Sequence, residues 1–179
     1  SMRERNIVEL ARPSLDALSE ASGETINLAV PARHGVEHIA QVDGRHFLGT
    51  GQWLGRTVDY HATAVGKVFM AFGRATVPPH VLAKHAADTI TDPKRLRAEL
   101  KVIRRNDLAT AIDELEPGLA AVAAPVRGAR GDVVAALSIT GPTLRLTPTR
   151  IFEMSPVLID EARKLSLRLG HREEGVDAA

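Results

Sequence analysis

The spacing of apolar residues switches several times between a helical and a strand-like period, and this order constrains the fold more than any other feature of the chain. Apolar residues recur at helical spacing in residues 7–21, 61–72, 80–87, 93–105 and 148–169. They alternate or run together, as in strands, in residues 24–30, 36–42, 108–112, 119–126 and 133–140. This succession of helices and strands predicts an α+β fold. We expect a mostly antiparallel sheet with flanking helices on one side.

Length and composition predict a single globular domain. The 179 residues suffice for one buried core, and 44% apolar with 25% charged residues is ordinary globular usage. Basic and acidic side chains number 23 and 22, so we expect the chain alone to bind no nucleic acid, because that affinity depends on neutralising phosphates. The lack of cysteine excludes disulfides and thiolate chemistry and favours a cytoplasmic location. No stretch approaches the about 18 apolar residues of a membrane span.

The chain divides into three parts. Residues 1–6 are predicted to be a disordered or tag-derived end, residues 7–170 to be the domain, and residues 171–179 to be a flexible tail. Ser1 stands before Met2, an order typical of the remnant left by tag removal. We therefore expect the natural chain to extend further at its amino end.

Two histidines, His34 and His38, have the spacing of an inverted zinc-protease motif. Such ligands share a zinc ion only on a helix, where residues four apart lie one turn apart. Here Gly35 and Val36 lie between strand signals, and residues four apart on a strand are separated by about 13 Å. We interpret the segment as a surface hairpin and predict no metal site.

The start of one predicted helix favours a bound anion. If the helix begins near His61 to Thr63, the amides of Ala64 and Val65 lie in its first turn. Unpaired N–H groups and the helix dipole attract negative charge at that end. A carboxylate is the kind of group that this position suits.

Two predicted strands carry side chains that suit the same pocket. Ser138 and Thr140 are two apart, so their hydroxyls share one face of the sheet. Leu119 and Ala121 alternate on the preceding strand, where small side chains leave room. The alternative is that the hydroxyls bond locally beside a packed core, and the residues alone leave both interpretations open.

Four segments in fixed order carry a family resemblance. They are Gly-Glu-Thr at 23–25, His-Ala-Thr-Ala-Val-Gly-Lys at 61–67, Gly-Leu-Ala-Ala-Val-Ala-Ala-Pro-Val at 118–126 and Ala-Ala-Leu-Ser-Ile-Thr-Gly-Pro at 135–142. Together they resemble the effector-binding domain of IclR-family transcriptional regulators. The resemblance implies a GAF-like fold, an effector pocket and self-association as a dimer or tetramer. It also implies a winged helix-turn-helix ahead of this domain that binds DNA, and we expect that segment to be absent from this chain.

The resemblance further implies which residues line the effector pocket. They are Phe47, Thr50, Ala64, Val65, Leu119, Ala121, Ser138 and Thr140, with Trp53 and His61 as additional candidates. Some keto-acid-sensing members carry cysteine where Ala121 stands, so the resemblance argues against glyoxylate-like or pyruvate-like ligands here. Phe47 and Trp53 suit the walls around an aromatic or larger apolar acid.

We therefore predict a ligand-sensing regulatory domain that binds a small organic acid, performs no reaction and uses no cofactor. The acid would bind one of two domain arrangements better and so shift the attached DNA-binding segment between them. Two alternatives stay open. One is a small hydrolase or lyase that uses His61 and Ser138, and the other is a GAF-like module that only mediates subunit contacts.

Overall fold

Six strands form one sheet in the part of the chain that the computed structural model describes, residues 1–46 and 49–174. The strands are β1 (Thr25–Pro31), β2 (Val36–Val42), β3 (Thr57–Val58), β4 (Ala109–Ile112), β5 (Leu119–Arg127) and β6 (Val133–Pro142). The helices are α1 (Met2–Ser22), α2 (Ala64–Ala71), α3 (Pro93–Asn106) and α4 (Pro148–Arg168), with a 3₁₀ turn at Tyr60–Ala62. Of the described helices, none is long and apolar enough to cross a bilayer.

The strands follow the order β3-β2-β1-β6-β5-β4, and each neighbouring pair is antiparallel. This arrangement confirms the predicted α+β class with an antiparallel sheet. β1 and β6 pair at the centre although they come from opposite halves of the chain. The two edge strands are short, with two residues in β3 and four in β4.

The sheet is buried on both faces. Leu28 and Ile139 belong to a core that α1 and α4 cover. The smaller Ala29, Ala123 and Ala136 belong to a second core on the opposite face, which α2 covers. Helices therefore flank both faces rather than the one side expected, because the central strands are apolar at successive positions and bury both sets.

Two local predictions differ from the structure. Residues 1–6 were expected to be a disordered or tag-derived end, and residues 2–6 are ordered, since they continue α1 back to Met2 and Ser1 forms a reciprocal capping box with Glu4. Residues 80–87, expected to be a short helix, contain no helix or strand. The hydroxyl of Thr89 holds this segment instead, because it accepts hydrogen bonds from the amides there.

Helix α2 is held against its neighbours by a buried ion cluster. Lys67 is fully buried, and its Nζ donates to Glu99 Oε2 at 2.9 Å and to Glu114 Oε1 at 2.8 Å. Glu99 lies on α3 and Glu114 follows β4, so three elements meet at one ammonium group. Burial raises the pKa of Glu114, and the positive charge of Lys67 opposes that rise. The cluster helps to set the position of α2 over the sheet.

Candidate ligand-binding pocket

A cavity opens between the start of α2 and the sheet face that α2 covers. The space between its walls is about 420 Å³ when the open mouth is included. The lining residues are His38, Trp53, Ala62, Thr63, Ala64, Val65, Ala111, Leu115, Leu119, Ala121, Ser138 and Thr140. His38 is the titratable group among these described residues, and no carboxylate lies among them.

Two hydroxyls of β6 line the cavity. Ser138 pairs across β5 with Ala123, and Thr140 pairs with Ala121, so small side chains stand beside both hydroxyls. In the described part of the chain, no hydrogen bond ties either hydroxyl to another residue. Both groups are therefore available to a ligand.

The start of α2 presents backbone amides to the same cavity. Thr63 caps the helix, and its hydroxyl accepts a hydrogen bond from the amide of Gly66 at 3.0 Å. Ala64 and Val65 are the first two helical residues, so their amides have no acceptor within the helix. Gly66 is needed at this turn because a Cβ there would overlap the carbonyl oxygen of Tyr60.

Trp53 closes one side of the cavity and is fixed by polar contacts. Its amide donates to Gln41 Oε1 at 2.9 Å, and its indole Nε1 donates to Thr50 Oγ1 at 3.4 Å. Gln41 Nε2 also donates to the carbonyl oxygen of Gly51 at 3.1 Å, which ties the loop to β2. The guanidinium of Arg56 lies 4.4 Å from the Trp53 ring centroid. This wall of the cavity is therefore aromatic, with the positive charge of Arg56 next to the indole ring.

His38 also lines the cavity, although its sequence context predicted a surface hairpin. Its side chain is 7% exposed, and its ring centroid lies 5.9 Å from that of Trp53. Its Nδ1 is buried and has no hydrogen-bond partner among the described residues. Burial, reinforced by the charge of Arg56, lowers the pKa of His38 to about 4, so the ring is neutral at pH 7. The surface-hairpin interpretation is wrong for His38, whereas His34 is exposed.

A bulge in β2 explains this error. Leu28 pairs with Ala40, and the next residue of β1 pairs with His38. Ile39 is therefore an extra residue that interrupts the alternation of side chains. The bulge allows His38 and Gln41, three positions apart, to face the same side of the sheet. No local signal in the sequence indicated it.

The cavity brings together seven of the ten residues predicted to form a pocket. These are Trp53, Ala64, Val65, Leu119, Ala121, Ser138 and Thr140. Thr50 contacts Trp53 without lining the cavity. His61 does not line it either, since its Nε2 lies 2.7 Å from the carbonyl oxygen of Ala83. Phe47 lies outside the described residues.

One protein-family model matches almost the whole chain. The model described as the bacterial transcriptional regulator IclR C-terminal domain matches residues 1–167. This chain belongs to the IclR family. The HTH-type transcriptional regulator BhcR of Paracoccus denitrificans is 32% identical over 183 residues, covering 99% of this chain. The chain spans 66% of the length of BhcR.

Solved structures of transcriptional regulators share this fold. The crystal structure of IclR from Thermotoga maritima has a TM-score of 0.85 at 31% identity, covering 96% of this chain and 72% of that chain. The inducer-binding domain of the transcription factor PobR from Acinetobacter, solved as a double mutant with 3-hydroxybenzoic acid, has a TM-score of 0.79 at 25% identity. That match covers 88% of this chain and 96% of the PobR domain. These relatives are transcriptional regulators rather than enzymes.

Proposed function

We propose that this IclR-family domain senses a small organic acid and thereby controls DNA binding by a winged helix-turn-helix attached to it in the full-length protein. The observation that carries the proposal is a cavity wall with several hydrogen-bond donors and, among the described residues, no carboxylate. A carboxylate that leaves water needs several donors. Ser138 and Thr140, with the amides of Ala64 and Val65, supply them without a buried counter-charge.

His38 extends this set of donors. Its neutral ring offers one N–H donor and one acceptor nitrogen, and an unpaired buried nitrogen costs free energy. A hydroxyl or carboxylate oxygen of the ligand beside His38 would remove that cost. The charge of Arg56, stacked on Trp53, favours an anion at the same wall. We therefore include His38 in the binding site.

The apolar walls favour an aromatic acid. Trp53, Leu115 and Leu119 offer flat or branched apolar surface around the donors. The PobR domain, similar in fold and 25% identical, is solved with 3-hydroxybenzoic acid. Hydroxybenzoates are accordingly the first class of ligand to test.

Regulation requires that the acid bind two domain arrangements with different affinity. The donors belong to two elements, since the amides lie on α2 and the hydroxyls on β6. A bound carboxylate would bridge α2 and the sheet and so stabilise the arrangement in which they are closest. The attached DNA-binding segment would respond to that preference.

A thermal-shift screen tests the proposal directly. The probes are 3-hydroxybenzoate, 4-hydroxybenzoate, benzoate and a set of aliphatic carboxylates. A ligand present at 100 times its Kd adds about 2.7 kcal/mol to the free energy of unfolding. This raises the midpoint temperature of thermal unfolding. If the uncharged amides of these acids stabilise the protein as well as the acids do, the site does not recognise a carboxylate.

Replacing one donor gives the sharper test. Ser138→Ala should weaken the best carboxylate by about 10- to 100-fold, or about 1.5–3 kcal/mol, because the buried anion loses one donor. Ser155→Ala is the matched control, since Ser155 lies on α4 and its hydroxyl donates to the carbonyl of Ile151. Calorimetry measures both affinities. Equal affinity for the two variants would contradict the assignment of Ser138.

A further inference from the structure

We propose that Asp59, His61 and His85 form a zinc-binding site outside the ligand pocket. Each side chain offers one ligand atom, and the three atoms lie within 4.8 Å of one another. Asp59 and His61 lie at the 3₁₀ turn before α2, and His85 lies in the segment between α2 and α3. The sequence predicted no metal site, because Asp59, His61 and His85 do not form a local motif.

The ligand types match zinc. Two imidazoles with one carboxylate are a common zinc set, whereas Ca²⁺ and Mg²⁺ prefer oxygen ligands alone. Three protein ligands leave a fourth position for water or a small anion. The side chains of Asp59 and His85 are 45% and 33% exposed, so an ion can enter from solvent.

His61 is held in the way that a metal-binding histidine is held. Its Nε2 lies 2.7 Å from the carbonyl oxygen of Ala83. A carbonyl oxygen only accepts hydrogen bonds, so Nε2 carries the proton and Nδ1 keeps a free lone pair. Such an outer hydrogen bond sets the tautomer and the orientation of a ligating ring. His61 is only 5% exposed, which limits other orientations.

Asp59 and His85 would have to move slightly apart to bind zinc. Asp59 Oδ2 and His85 Nε2 lie 2.7 Å apart, at hydrogen-bond distance. Ligand atoms around a tetrahedral zinc lie about 3.4 Å apart, because each bond to the metal is about 2.0–2.1 Å long. Zinc would replace the proton between the two groups and increase the distance between Oδ2 and Nε2 by about 0.7 Å. The rings of His61 and His85, with centroids 5.7 Å apart, already lie side by side.

Backbone contacts hold both halves of the site. The carbonyl oxygen of Asp59 accepts from the amide of Ala62 within the 3₁₀ turn. On the other side, the amide of His85 donates to Thr89 Oγ1 at 3.0 Å. A simple ion pair between Asp59 and His85 would need neither of these two backbone hydrogen bonds. It would also not need the ring of His61 next to the pair. The convergence of all three side chains is what zinc binding explains.

Zinc titration of the untagged, chelator-treated chain tests this site. We expect one zinc ion per chain by elemental analysis, with the affinity measured in competition with a chromogenic chelator. His85→Ala should weaken binding by at least about tenfold, since loss of even an outer partner of a metal ligand costs about 10- to 100-fold. Asp59→Asn, which keeps the shape of the side chain, should have the same effect. His80→Ala, at an exposed histidine of the same segment, should have none.

Cobalt provides an independent readout. Co²⁺ bound by this set should show the visible absorption of a four-coordinate ion, and the His85→Ala and Asp59→Asn variants should lose it. Circular dichroism of each variant verifies the fold. The proposal is overturned if the chain binds no zinc, or if both variants bind zinc as tightly as the unmodified chain does.

Discussion

At the scale of single residues, His38 is a buried group whose pKa is strongly lowered. Burial and Arg56 lower its pKa to about 4 in the folded protein, from 6.5 in an unfolded chain. As the pH falls, the unfolded chain therefore takes up a proton on this histidine before the folded protein does. Proton uptake by the unfolded chain favours unfolding between pH 6.5 and pH 4. Above pH 6.5 the residue makes no such contribution.

This difference predicts a pH dependence that one substitution removes. From pH 8 to pH 5, the free energy of unfolding should fall by about 2 kcal/mol more for the unmodified chain than for His38→Gln. Glutamine cannot titrate, and the carboxylates that titrate near pH 5 are the same in both proteins. Urea unfolding at the two pH values measures the difference. Equal falls in the two proteins would mean that His38 titrates normally in the folded state.

At the scale of elements, α2 contributes its first turn to the candidate pocket. Proline suits the first position of a helix, and Pro93 and Pro148 already occupy that region of α3 and α4. Thr63 has φ −126° and ψ 152°, the extended conformation that a residue before proline prefers. The fold should therefore tolerate a proline at Ala64.

Ala64→Pro deletes one amide donor from the pocket. We expect carboxylate binding to weaken by about tenfold, because one hydrogen bond to a charged group is lost, while the thermal midpoint changes little. Ala64→Gly keeps the amide and serves as the control, with affinity measured by calorimetry. Retention of full affinity in the proline variant would place the anion away from the helix start.

The buried ammonium of Lys67 joins α2 to α3 and to the end of β4. Lys67→Met would leave the carboxylates of Glu99 and Glu114 close together without their cation. We expect the free energy of unfolding to drop by about 3–5 kcal/mol, as for other broken buried pairs. Lys101→Met, on the exposed face of α3, should change it by less than about 0.5 kcal/mol. A loss below about 1 kcal/mol for Lys67→Met would mean that the cluster is not a stabilising contact.

At the scale of the whole molecule, we predict that the chain self-associates through the surface of α4. Phe152 is 81% exposed and lies beside Pro156 and the half-buried Ile159. The short edge strands offer a partner little backbone to pair with, so an apolar helix surface is the better contact. Sedimentation equilibrium should detect species larger than 19.3 kDa.

Phe152→Ser should weaken that association. Val81→Ser should not, although Val81 is likewise an exposed apolar residue, at 75%. Phe152 belongs to a continuous apolar surface, and Val81 lies in the segment between α2 and α3. Detection of the monomer alone at high concentration, in all three proteins, would contradict self-association.

The sequence by itself determined which residues of a regular strand share a face. Period-two alternation predicted that the hydroxyls of Ser138 and Thr140 lie together, and both line the cavity. The helix was predicted to begin near His61 to Thr63 with the amides of Ala64 and Val65 in its first turn, and α2 begins at Ala64 after the capping residue Thr63. These predictions succeeded because they depend on neighbours in the chain.

Only the tertiary structure decided the positions of His38, Thr50 and the residues around His61. His38 reaches the pocket through a bulge whose extra residue depends on pairing with β1. The loop that carries Thr50 is held by Gln41, and the segment that carries His85 is held by Thr89. Irregular segments have no period that a sequence can reveal. Their positions depend instead on hydrogen bonds and packing between residues distant in the chain.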